Sequence, residues 1–131
     1  MLLVDWELAG RGPAGFDVGT VLAEYLVKWV GSIPILDPRD PSRFVDRARH
    51  PLRLMRPAIH AFWWAYRSAS TRPPALARVV ELAAVRLLQA AVERAQRSAA
   101  PSAHVVVLAQ LADSLLRDPE DAALGLLGLH A

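Results

Sequence analysis

Apolar side chains recur at three- and four-residue intervals along most of the chain. Val18, Val21, Leu22, Tyr25, Leu26, Trp29 and Val30 share one face at helical spacing, which predicts a helix from Phe16 to Gly31. Asp17 stands where an N-cap is expected, Phe16 is placed to staple onto Val21, and Gly31 to end the helix as a C-cap. A second face runs through Leu52, Met55, Ile59, Phe62 or Trp63, and Tyr66. Pro57 falls inside that pattern, so a kink or split near Arg56 is expected. The Ala-, Leu- and Arg-rich stretch after Pro73 and Pro74 predicts a long helix, because these are strong helix formers and prolines favour the first turn. Ser102 opens a fourth helical stretch, and Asp118 with Pro119 opens a short last one.

Two regions break the helical period. Leu2–Val4 is an aliphatic run too short for a helix and reads as a strand, followed by the glycine-containing loop "ELAGRGPAG". Residues 32–50 hold three prolines and no clear period, the pattern of a long irregular connection. The expected fold class is mainly α, with one short N-terminal strand and about five helices. It divides into strand and loop over 1–16, a helix over 17–31, the irregular stretch 32–50, and a helical region 51–131. A lone strand leaves its backbone donors and acceptors unpaired, so Leu2–Val4 calls for a partner strand that this sequence does not supply.

Composition narrows the function classes. The 131 residues fit one domain, and 53% apolar content is enough for a core and too much for a disordered tail. A formal charge of +2 implies no strong pull toward nucleic acid, and no recognition-helix pattern occurs. Without cysteine there are no disulfides or thiolate metal sites. The N-terminus lacks a signal-peptide pattern and no uncharged apolar run reaches membrane-span length, so a cytoplasmic domain is expected.

Asp5 and Glu7 carry the candidate chemistry. On an extended chain, residues two apart point to the same side, so the two carboxylates lie side by side with Trp6 turned away. Adjacent like charges repel unless a cation joins them, and Mg²⁺ takes one or two carboxylates together with substrate phosphates. On spacing alone the favoured reading is two solvated acids where a strand enters a loop, because Asp-x-Glu is a very common triplet. The longer string "VDWELAGRGPAGFDVGTVLAEYL" resembles the metal-binding segment of the aminoglycoside phosphotransferase family and its choline kinase and methylthioribose kinase relatives. The residues carrying the resemblance are Val4, Asp5, Trp6, Glu7, Gly10, Gly12, Pro13, Phe16, Asp17, Val18 and Gly19.

The resemblance implies the C-terminal helical subdomain of a protein-kinase-like phosphotransferase. Asp5 would be the principal Mg²⁺ ligand, with Glu7 beside it acting through a second metal or a water. Asp17 would be structural near the site, a role compatible with capping the helix. The intact enzyme would move the γ-phosphoryl group of ATP or GTP to a hydroxyl of a small molecule. The family's H-G-D-x-x-x-x-N catalytic loop is absent, since the four histidines precede Pro51, Ala61, Val105 and Ala131. With that loop and the nucleotide-binding lobe both outside this sequence, the chain alone is expected to be inactive. An alternative keeps the helical module and makes it non-catalytic, pairing with a separate chain as in a split kinase or a protein-interaction domain.

Three further groups were weighed. The histidines share no metal-ligand spacing. Trp63, Trp64 and His60 are candidates for an acceptor pocket, because choline-type kinases line theirs with aromatic rings from the C-terminal helices. Packing of these rings into the helical core is the competing expectation. The arginines from Arg39 to Arg56 are interleaved with Asp37, Asp40 and Asp46, which favours a solvated surface over a basic face.

Overall fold

A computed structural model describes residues 10, 12–34, 47–97 and 102–130. The expected strand Leu2–Val4, the carboxylates Asp5 and Glu7, and most of the irregular stretch 32–50 lie outside them. Within the described residues the chain is helical: α1 (Phe16–Gly31), α2 (Leu52–Ala69), α3 (Leu76–Gln96), α4 (Ala103–Arg117) and α5 (Pro119–Asp121), which runs into a π-helical turn at Ala122–Leu127. The mainly α expectation holds.

The helices alternate in direction. Gly15 and Gly19 meet Pro74, Val79 and Ala83, and Glu24 meets Arg86, so α1 and α3 run parallel in step. The intervening α2 carries the chain back the other way, since Arg49 just before its start donates to Ser32 after the end of α1. His104 at the start of α4 lies 2.9 Å from the Ile33 carbonyl, which sets α4 running opposite to α1 and α3. One end of the bundle therefore gathers the start of α1, the end of α2, the start of α3 and the C-terminal turn.

The tightest seam is between α1 and α3. A Cβ at Gly19 would stand 2.9 Å from both the Ala83 nitrogen and the Val79 oxygen, so only glycine admits this backbone approach. Ala23, Ala83 and Ala84, all fully buried, extend the close seam with small side chains. Larger residues fill the rest of one core: Leu22, Leu26 and Val30 from α1, Ile59 and Trp63 from α2, Leu87 from α3, Leu108 and Leu115 from α4, and Leu127 and Leu129 from the C-terminus.

Several local expectations are corrected. Asp17 is not the N-cap of α1. That position is Gly15, in the left-handed conformation at φ 88°, while Asp17 sits exposed in the first turn, where its charge favours the helix dipole. Gly31 is the last helical residue rather than a left-handed cap, and Ser32 closes α1 by donating to the Trp29 carbonyl at 2.8 Å. The proline at position 57 does not split α2, which is continuous through it. It removes one ladder bond close to the helix start, while Leu52, Ile59 and Trp63 hold the helix onto the core. Ser102 is the N-cap residue of α4 and makes no side-chain cap bond.

The C-terminus has its own fastening. Asp118 caps α5, accepting from the Asp121 backbone N–H at 3.0 Å. Gly128 turns left-handed at φ 71° and lets Leu129 fold back into the core, its N–H donating to Ala123 at 2.8 Å. Arg56 of α2 donates to the carbonyls of Gly125 and Leu126, placing a cation on the oxygen end of the π-helical turn. On the surface of α4, a hydrogen bond to Asp113 holds the Arg117 guanidinium above its ordinary pKa.

Candidate functional site

A cavity of about 500 Å³ opens at the end of the bundle where α1 begins. Its walls are Trp63 and Arg67 from the last turns of α2, Pro73–Ala77 at the start of α3, Glu120 of α5, Ala123 and Leu124 of the π-helical turn, and Leu129 and His130. Most of these are apolar. The charged and titratable members are Arg67, Glu120 and His130. A mostly apolar hollow of this size with a few polar groups is the usual form of a small-molecule site.

Each wall has a sequence cause. Pro73 and Pro74 cannot continue a helix from α2, and they stand just before Ala75, the N-cap residue of α3, rather than in its first turn. Pro74 also touches the start of α1, because a Cβ on Gly15 would fall 2.9 Å from its Cγ. The left-handed turn at Gly128 brings Leu129 and His130 across the opening. The wider winding of the π-helical turn supplies Ala123, which faces the core, and Leu124, which faces the cavity.

Consecutive residues on a helix point about 100° apart, and this separates the aromatic cluster of α2. Trp63 is 1% exposed and lies in both the core and the cavity wall. Its indole N–H is buried without an acceptor among the described residues. Trp64, 39% exposed, faces outward and donates its indole N–H to Nε2 of His60 at 2.9 Å. That bond requires the neutral imidazole with its proton on Nδ1. Arg67 joins the two faces: its guanidinium carbon lies 5.2 Å from the centre of the Trp64 ring, and the same side chain lines the cavity. Of the three aromatic candidates, the structure thus places Trp63 in the cavity wall. His60 and Trp64 form a row outside it that ends on Arg67.

The positions of Asp5 and Glu7 fall outside the described residues. Asp17 is described and exposed on α1, one turn from the cavity end of the bundle. Among the described residues, no group of three or more His, Asp or Glu gathers as a metal site, and no helix is long and apolar enough to cross a membrane. Sequence reading missed Arg67, Glu120 and His130, because the wall joins the end of α2 and the start of α3 to a segment more than forty residues further along the chain. The only local signal was the double proline at its edge.

A second hollow, of about 570 Å³, lies at the opposite end and is lined by Lys28, Arg49, His50 and Arg94 with Ser32 and Ile33. Lys28 and Arg94 are in the last turns of α1 and α3, where the carbonyl ends of those helices attract their charge.

Comparison with known proteins gives a partial likeness. The chain is 31% identical over 75 residues to methylthioribose kinase of Pectobacterium atrosepticum, covering 57% of this chain and 19% of that protein. It is 32% identical over 74 residues to methylthioribose kinase of Pectobacterium carotovorum subsp. carotovorum, covering 56% of this chain and 18% of that protein. The matched stretch is therefore less than a fifth of either relative's length. No protein-family model matches the chain, and no solved structure does. Over somewhat more than half its length the chain resembles methylthioribose kinases, which supports a kinase-like phosphotransferase origin.

Proposed function

We propose that this chain is the C-terminal part of a small-molecule kinase, contributing a magnesium-binding aspartate and the helices that shape the acceptor site. The single observation that carries this reading is the position of the cavity. It opens where α1 starts, with Pro74 against Gly15, and the sequence immediately before α1 is the one bearing Asp5 and Glu7. An acceptor held by Trp63 and its neighbours would be bound at the end of the bundle that this segment enters.

Asp5 is the proposed principal metal ligand, Glu7 its neighbour, and Asp17 a nearby structural carboxylate. Bound Mg²⁺ would neutralise charge on the β- and γ-phosphates of ATP or GTP. The chain's own contribution is positional. The indole of Trp63 offers an apolar wall, and the row His60–Trp64–Arg67 fixes the charge at its rim. A nucleotide-binding lobe and a base to orient the acceptor hydroxyl would come from sequence beyond these 131 residues, in the same chain or in a partner.

The test is magnesium-dependent phosphoryl transfer by the complete enzyme, compared with Asp5→Asn. Loss of about a hundredfold or more is expected, because removing charge stabilisation at a phosphoryl group costs on that order. Unchanged activity would remove Asp5 from the mechanism.

A further inference from the structure

We propose that the Trp63 cavity binds a small zwitterion, with an apolar body against the indole, an anionic group on Arg67 and a protonated amine on Glu120. The proposal rests on the preceding reading for the role of the site, but its binding chemistry stands on the cavity alone.

Arg67 and Glu120 both line the same hollow of about 500 Å³. Among the described residues neither forms an ion pair, although Arg78, Arg86 and Arg117 elsewhere on the surface each do. Glu120 is exposed and Arg67 half-buried, so both charges are open to a ligand held in the same hollow. The rest of the wall, including Leu76, Ala123 and Leu129, offers apolar contact to whatever lies between them.

Arg67 is also held in place. Trp64 lies under its guanidinium at 5.2 Å, and His60 pins Trp64 through the indole N–H at 2.9 Å. A guanidinium stacked on a ring keeps the N–H groups of its edge available, and those match a carboxylate. His60, Trp64 and Arg67 follow one another at intervals of four and three residues, so a single helix face builds the support. Glu120 sits in the first turn of α5, two residues after the capping Asp118.

Each charge also lies at the helix end that its sign favours, Arg67 at the end of α2 and Glu120 at the start of α5. A purely structural role would leave ligand discrimination untouched, and the experiment exploits this. The ¹⁵N-labelled 131-residue chain is titrated with L-leucine, N-acetyl-L-leucine (anion only) and L-leucinamide (cation only). The reporter is the indole N–H resonance of Trp63, assigned by its disappearance in Trp63→Phe. Leucine is expected to saturate first, with either blocked form about tenfold weaker, as suits the loss of one charge-assisted contact.

Arg67→Gln should erase the preference for leucine over leucinamide, and Glu120→Gln the preference for leucine over N-acetyl-leucine. Trp64→Ala should weaken carboxylate recognition while Trp64→Phe retains it, which identifies Trp64 as a positioning residue. Equal affinities for the three ligands, or no saturable shift in a sample with dispersed amide resonances, overturn the proposal. No nucleotide is present in this titration. Selective binding together with full activity of Asp5→Asn would therefore discard the kinase reading and keep the site, and the reverse pair of results would discard only the zwitterion.

Discussion

Gly19 and Gly31 are both helical glycines of α1, yet their surroundings make opposite demands. At position 19 an added methyl group meets backbone atoms of α3 at 2.9 Å, and backbone cannot rotate away as a side chain can. Alanine gains up to about 1 kcal/mol of helix propensity, whereas overpacking costs about 1–3 kcal/mol. Gly19→Ala should therefore lower stability by up to about 2 kcal/mol net in urea unfolding. At position 31 nothing lies within 4 Å and the residue is in ordinary helical conformation. Gly31→Ala should raise stability by about 0.5–1 kcal/mol in the same measurement. A glycine at the end of an apolar period reads as a cap in sequence. Here the serine after it takes that task with its hydroxyl, a choice that depends on the chain returning at His50 to donate to the same oxygen.

Among the elements, α1 was the most legible. Its apolar face was correct in the main because Val18, Leu22, Leu26 and Val30 fall on one stripe at helical spacing and are all buried in the shared core. The continuity of α2 through Pro57 was not legible, since the compensation comes from tertiary packing rather than from adjacent residues. Nor was the π-helical turn, which depends on Arg56, some seventy residues earlier in the chain, reaching its carbonyls. That contact can be tested. Arg56→Gln should cost about 1–2 kcal/mol, in the range for charge-assisted hydrogen bonds with partial exposure, and should raise amide exchange in residues 122–129 before the rest of the bundle. Uniform exchange would mean that the turn holds without the arginine. The candidate cavity belongs to the same lesson: Trp63 was read as a ring of interest, while Arg67, Glu120 and His130 become its neighbours only after the fold closes.

The whole molecule has one core, built by α1, α2, α3, α4 and the C-terminal turn. Trp63 lies in that core at the meeting of α2, α3 and the C-terminal turn, so its surroundings should persist as long as the helices do. Thermal or urea unfolding followed by near-ultraviolet and far-ultraviolet circular dichroism should give coincident transitions. An earlier loss of the aromatic signal would mean that the cavity end melts separately.

The alternation of helix directions distributes freedom unevenly along the gene. The connection between α1 and α2 returns to the bundle through Arg49 and His50 on Ser32, at the end remote from the cavity. The two described ends of that connection are thus fastened to each other at Ser32, away from every wall of the hollow. The link between α2 and α3 lies in the wall itself. It runs only from Ser70 to Ala75 and carries Pro74, which lies against Gly15, so one added residue there would shift the cavity wall and the start of α1 together. A change of length in this second connection therefore reaches the cavity directly.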